Sequence, residues 1–151
     1  MKGKLLRLGI RVLDAISRAT RDDSRPAEKP QHLVTGQHGE ELAYFYLRGQ
    51  GYVVVARNYR SPRHKGEIDL IAWDGEELCF VEVKTRRRKS FVPAEAAVDA
   101  PKQAILRATA RTYLRKMKEA PRVRFDVLSL YYDTPNGAPD ITLFKNSFPM
   151  A

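Results

Sequence analysis

The period of hydrophobic positions changes several times along the chain, and each change marks an element. Leu5, Leu8, Val12, Ile16 and Ala19 recur at helical spacing among Lys2, Lys4, Arg7, Arg11 and Arg18, which predicts a basic amphipathic helix over residues 1–21. Residues 22–32 hold two prolines and no large apolar side chain, as a linker does. Thr35 is a suitable N-cap for a helix over Gly36 to Arg48, which presents Leu42, Ala43, Phe45, Tyr46 and Leu47, and Gly49-Gln50-Gly51 stops it. Tyr52 to Ala56 is aromatic and β-branched, hence a strand. Glu67 to Trp73 and Leu78 to Thr85 are two more, joined around Asp74-Gly75, a strong hairpin signal. Arg86 to Lys89 should leave the sheet as a basic loop. Asp99 and Pro101 then open a second helix, with Ile105, Leu106, Ala108, Thr109, Thr112 and Tyr113 inward and its end near Ala120-Pro121. Val123 to Tyr131 and Ile141 to Phe144 complete the strands.

The order is therefore α-β-β-β-α-β-β. The hairpin sets the early strands antiparallel, and the helical crossover brings the next strand in parallel. An α/β fold follows, with a mixed central β-sheet flanked by helices, over one domain at residues 33–148.

Composition narrows the function. No apolar run approaches the roughly 20 residues that span a bilayer. The basic N-terminal helix reads better as packing its leucine face on the domain or on a neighbouring subunit than as lying on a membrane surface. Cys79 is the one cysteine, so no internal disulfide or cysteine-rich zinc site exists, and a reducing, cytoplasmic setting fits. Lys and Arg number 27 against 18 Asp and Glu, a net charge of +9 that favours a polyanionic partner.

The candidate chemistry lies in the hairpin. On a strand, residues two apart share a face, so Glu67 pairs with Asp69 and Glu82 with Lys84. A four-residue loop from Asp74 to Glu77 sets Asp69 opposite Glu82, whereas a two-residue Asp74-Gly75 loop sets Glu67 there. Either register puts carboxylates about 5 Å apart on one face, in an otherwise apolar stretch. Like charges held there need neutralising. One lysine does so partly, and a hard divalent cation does it better; with no histidine in the cluster and Cys79 on the opposite face, Mg²⁺ or Mn²⁺ fits better than zinc. Phosphodiester cleavage uses this inventory, with a cation to acidify water and stabilise the leaving oxygen, and a lysine to hold the attacking water or offset charge on the phosphate. Asp69 and Glu82 are the candidate ligands, with the Val83 carbonyl available as another. Glu82-Val83-Lys84 is the single [DE]-x-K triplet in the chain.

Five stretches carry a family resemblance: Gly36-x-x-Gly39-Glu40-x-x-Ala43, Arg57-Asn58-Tyr59-Arg60, Gly66-Glu67-Ile68-Asp69-Leu70-Ile71, Phe80-Val81-Glu82-Val83-Lys84-Thr85-Arg86 and Arg124-Phe125-Asp126-Val127. Together they resemble the YraN-type family of bacterial proteins over residues 33–148. That family is similar to archaeal Holliday-junction resolvases and the restriction-endonuclease-like fold. The resemblance implies a metal-dependent endonuclease of the PD-(D/E)xK type, with Asp69 and Glu82 as main ligands, Lys84 as catalytic lysine and Glu40 as a further acidic member of the metal site. A two-fold junction as substrate would suit a homodimer.

Around this core, Arg86, Arg87, Arg88 and Lys89 continue the Glu82 strand and are placed to grip phosphates beside the scissile one. Arg57, Asn58 and Arg60 either contact backbone phosphates or cap the sheet. Lys102 and Gln103, at the start of the second helix where anions are favoured, are candidates to touch substrate. The expected function is hydrolysis of DNA, in branched or single-stranded form; the alternative is a nucleic-acid-binding protein that keeps the fold without cutting.

Overall fold

The computed structural model describes residues 31–87, 98–134 and 136–150. The expected N-terminal helix, the linker as far as residue 30, and Arg88 and Lys89 lie outside the described residues. Helix α1 (Gln31–Gly49) is followed by strands β1 (Val53–Arg60), β2 (Glu67–Asp74) and β3 (Glu77–Arg87), helix α2 (Ala100–Leu114), and strands β4 (Arg122–Tyr132) and β5 (Asp140–Phe148). The sheet runs β1-β2-β3-β4-β5. Only β3 and β4 are parallel, on either side of the α2 crossover; the other pairs are antiparallel. This is the expected mixed α/β order.

Both faces of the sheet are covered, so the central strands read as near-continuous apolar runs rather than as alternating ones. On one face Ala43 and Leu47 of α1 pack with Tyr52, Leu70, Ala72, Cys79, Val81, Leu128 and Leu130. On the other, Leu106 and Ala110 of α2 pack with Ile68, Ile71, Leu78, Phe80, Val98, Val127 and the stacked rings of Phe125 and Phe148, whose centroids are 4.6 Å apart.

Several boundaries differ from the expected ones. Helix α1 begins at Gln31, so Thr35 lies inside it rather than capping it. Arg86 and Arg87 belong to β3, paired with Tyr131 and Tyr132 of β4, because the parallel ladder continues past Thr85. Helix α2 opens as expected on Asp99, whose carboxylate accepts the Lys102 N–H at 2.9 Å, but it stops at Leu114. There the amides of Lys116 and Met117 turn to carbonyls three residues back, which tightens and ends the helix. Ile105, expected inward, is 40 % exposed at the first turns of α2.

The hairpin settles the register that the sequence left open. Asp74 pairs with Glu77 and Leu70 with Val81 across a Gly75-Glu76 turn, with Gly75 at φ 61°. Continuing that register sets Asp69, rather than Glu67, against Glu82. The strict two-residue alternation does not hold, however. Ile68 packs on the α2 side while Leu70 and Ala72 pack on the α1 side. The face changes around Asp69, and β1 does the same around Asn58, at φ 49°: Arg57, paired with Leu70, lies over Tyr44 of α1, whereas Tyr59, paired with Ile68, packs on the α2 side.

Candidate functional site

The β2–β3 ladder ends at Leu70 and Val81, and the next residue of β2 replaces it with a side chain. Asp69 Oδ2 accepts the Val83 N–H at 2.7 Å. A carboxylate standing where a strand carbonyl would otherwise stand separates β2 from β3, keeps the amide satisfied, and fixes the carboxyl orientation. Glu82 follows Val81 on β3 and is 95 % buried on its side chain, since 5 % remains exposed. Its Oε1 is 2.8 Å from Lys84 Nζ and 3.3 Å from Lys102 Nζ. Among the described residues its Oε2 is buried with no hydrogen-bond partner. A buried carboxylate oxygen left unmatched is costly, and a cation or donor placed there would satisfy it.

The acids repel one another. Burial and the neighbouring Glu82 push the Asp69 carboxyl up to about 7, with Glu40 adding to the effect and the Val83 amide and Lys102 opposing it. Glu40 rises as well, through burial, Glu67 and Glu82, against the pull of Arg57. Glu40 reaches the site because Gly39 lets α1 approach β3: a Cβ there would collide with the Thr85 hydroxyl. Asn58 Nδ2 donates to Glu40 Oε2 at 3.0 Å, and its left-handed backbone, which asparagine tolerates, aims that amide.

The other candidates divide. Arg57 lies over the Tyr44 ring at 4.6 Å and is exposed. Arg60 forms a 3.0 Å ion pair with Glu67, whose charge also raises Glu40. Gln103 spends its amide locally, donating to the Val98 carbonyl at 2.9 Å and accepting from Arg107 at 3.1 Å; it holds the start of α2 in place. Arg86 is partly buried, with Nε unpartnered, at the end of the strand that carries Glu82. Arg87 is exposed at that strand's tip. An open groove of about 500 Å³ runs beside Glu67 and Lys102, lined also by Arg60, Ser61, His64 and Lys65.

Two features escape a reading of the sequence. The first is the contact of Lys102 with Glu82, since nothing in a linear pattern gives the rotation of α2 over the sheet. The second is a hub on Arg124, one of the quoted stretches to which no role attached. Its guanidinium, 9 % exposed, reaches Asp126 at 3.0 Å, Glu77 and Asp74 at 2.7 Å, and the Tyr52 hydroxyl at 2.9 Å. Asp126 is fully buried and also accepts the Asn146 amide at 2.9 Å, at an irregularity of the β4–β5 ladder. As at Asp69, a carboxylate accepts a strand amide at a ladder irregularity, here with an arginine beside it.

Among the described residues no three His, Cys, Asp or Glu side chains converge as a ready-made metal cage. The fit to a cation therefore rests on two carboxylates and the orphan Glu82 Oε2. Mg²⁺ is usually held in this way, through one or two carboxylates with water and phosphate oxygens completing the shell, and the donor set fits it. Cys79 is buried, and its thiol is pushed up to about 12 by burial and by Asp126, so it is no ligand here. No helix among the described residues is long and apolar enough to cross a membrane.

Fold and site together define a mixed α/β protein with a carboxylate–lysine cluster where two central strands part. The chain belongs to the family described as uncharacterised protein family UPF0102, which it matches over residues 39–130. It is similar to a UPF0102 protein of Koribacter versatilis, 49 % identical over 93 % of this chain and 92 % of the relative. A UPF0102 protein of Solibacter usitatus is 48 % identical over 75 % of this chain and 84 % of its own. One from Geotalea uraniireducens is 37 % identical over 84 % and 98 %.

Proposed function

We propose that this protein is a divalent-cation-dependent endonuclease that hydrolyses phosphodiester bonds in DNA. The observation that carries the reading is the orphan Oε2 of buried Glu82, beside Asp69 at the point where β2 and β3 separate. Asp69 and Glu82 would hold the cation, Mg²⁺ or Mn²⁺, with the Val83 carbonyl and Glu40 nearby. When bound, the cation supplies Lewis acidity and offsets charge on the phosphoryl group. Lys84, on Glu82, is within reach of the same space and would hold the attacking water or neutralise charge developing on the phosphate. Asn58 keeps Glu40 aimed at the site. Arg86 and Arg87 would take the phosphates that follow the scissile one, and the net charge of +9 supports a polyanionic substrate. The resemblance to archaeal Holliday-junction resolvases points the same way.

A second reading, a nucleic-acid-binding protein that does not cut, draws on one observation: Lys84 and Lys102 already neutralise Glu82 without a cation. Calorimetric titration with Mn²⁺ separates the two. A nuclease gives a binding isotherm that Glu82→Gln abolishes. The absence of any isotherm in the wild-type chain, together with retained DNA binding, would overturn the nuclease reading in favour of the binder.

A further inference from the structure

Glu82 carries an uneven load. Two ammonium groups crowd Oε1, at 2.8 Å from Lys84 and 3.3 Å from Lys102, while Oε2 has no hydrogen-bond partner among the described residues. Lys84 is fixed two residues along the same strand. Lys102 comes from another element, and its side chain is 36 % exposed. Its backbone is anchored, because Lys102 N–H donates to the Asp99 cap, so only the four-carbon stem is free to move. That stem borders the open groove of about 500 Å³, which also holds Arg60, Ser61, His64 and Lys65. Among the described residues the groove's lining carries three cations, Arg60, Lys65 and Lys102, against the one carboxylate of Glu67, and Arg60 already pairs with that carboxylate.

The charges decide which contact yields. The carboxylates of Asp69, Glu82 and Glu40 share the site with two lysines. A divalent cation on the carboxylates turns the local charge positive, and the longer, more exposed contact is the one repulsion breaks. The groove offers the released ammonium a polyanion to meet.

We propose that Lys102 is a phosphate-binding residue held in reserve on Glu82. It neutralises Glu82 while the carboxylates hold no cation, and turns into the 60–66 groove to bind a phosphate of the substrate strand when they do. This rests on the nuclease reading. Its consequence is reciprocal coupling: cation binding tightens nucleic-acid binding, and nucleic acid tightens cation binding by drawing Lys102 off Glu82.

The test uses the full chain and its Lys102→Gln and Lys102→Arg variants. Mn²⁺ is first titrated calorimetrically without DNA. Removing the competing ammonium should tighten Mn²⁺ binding several-fold in Lys102→Gln and leave Lys102→Arg near wild type. Anisotropy of a fluorescein-labelled DNA duplex is then followed against salt, with and without Ca²⁺. In the wild type Ca²⁺ should steepen the salt dependence by about one phosphate contact, a slope change of about 0.9. In Lys102→Gln that increment should vanish, with the Ca²⁺-free slope unchanged. Equal Mn²⁺ affinity and an equal Ca²⁺ increment in Lys102→Gln overturn the proposal while leaving the nuclease reading intact. Absence of Mn²⁺ binding in the wild type overturns both.

Discussion

Replacing Asp69 with asparagine should stabilise the protein at high pH and do nothing at low pH. The Asp69 carboxyl sits at about 7 in the folded chain, against an ordinary 3.8, because it is buried beside Glu82. The folded state therefore holds a proton there between about pH 4 and pH 7 that the unfolded chain has released. Stability falls as pH rises whenever the native state binds more protons, so the penalty is absent below about pH 4 and complete above about pH 7. At about 1.4 kcal/mol per pH unit of separation, the ceiling is about 4 kcal/mol. Asparagine keeps an oxygen to accept the Val83 amide and carries no charge. The assay is urea unfolding of wild type and Asp69→Asn in chelator at pH 4.5, 6 and 8. The variant's advantage should grow from about 1 kcal/mol or less at pH 4.5 to about 2–4 kcal/mol at pH 8, and titrating groups far from Asp69 cancel in the difference. A gap that is flat with pH, or that favours the wild type at pH 8, would refute the placement of Asp69 in a low-dielectric, like-charged site.

Other outcomes follow from the same geometry. Mn²⁺ affinity should increase from pH 6 to pH 8, because the cation displaces a proton from Asp69, and calorimetry in buffers of different ionisation enthalpy would count that proton. Arg124→Met leaves buried Asp126 without its guanidinium and should cost about 3–5 kcal/mol by urea unfolding, without touching cation binding. Gly66→Ala drives a methyl group into the Thr109 hydroxyl, which is bonded to Ile105 and His64, and should lower stability by about 1–3 kcal/mol. At the left-handed Asn58, Asn58→Gly should unfold at higher urea than Asn58→Ala, by about 1 kcal/mol, although both lose the contact with Glu40.

The fold was legible where local chemistry and packing agree. YVVVA, the Asp74-Gly75 hairpin and the Asp99–Pro101 helix start each predict one structure, and the crossover rule then supplies the parallel β3–β4 pair. Asp69, Glu82 and Lys84 stood out because charges in an apolar run need an explanation. Alternation failed where the site is made: Asn58 and Asp69 sit at paired face changes in β1 and β2, and no periodic rule anticipates a side chain replacing a backbone acceptor. The Lys102–Glu82 contact and the Arg124 hub were hidden for a related reason, since contacts between residues 20 or 47 apart depend on how elements dock.

The most direct test of the central claim is cleavage of labelled linear, single-stranded, flapped and four-way DNA by the purified full chain with Mg²⁺ or Mn²⁺, beside Glu82→Ala and Lys84→Ala. Cation-dependent cutting that both substitutions abolish is the expected result, and the preferred DNA names the substrate. No cutting of any form, or cutting that both variants retain, would contradict a phosphodiesterase site at Asp69, Glu82 and Lys84.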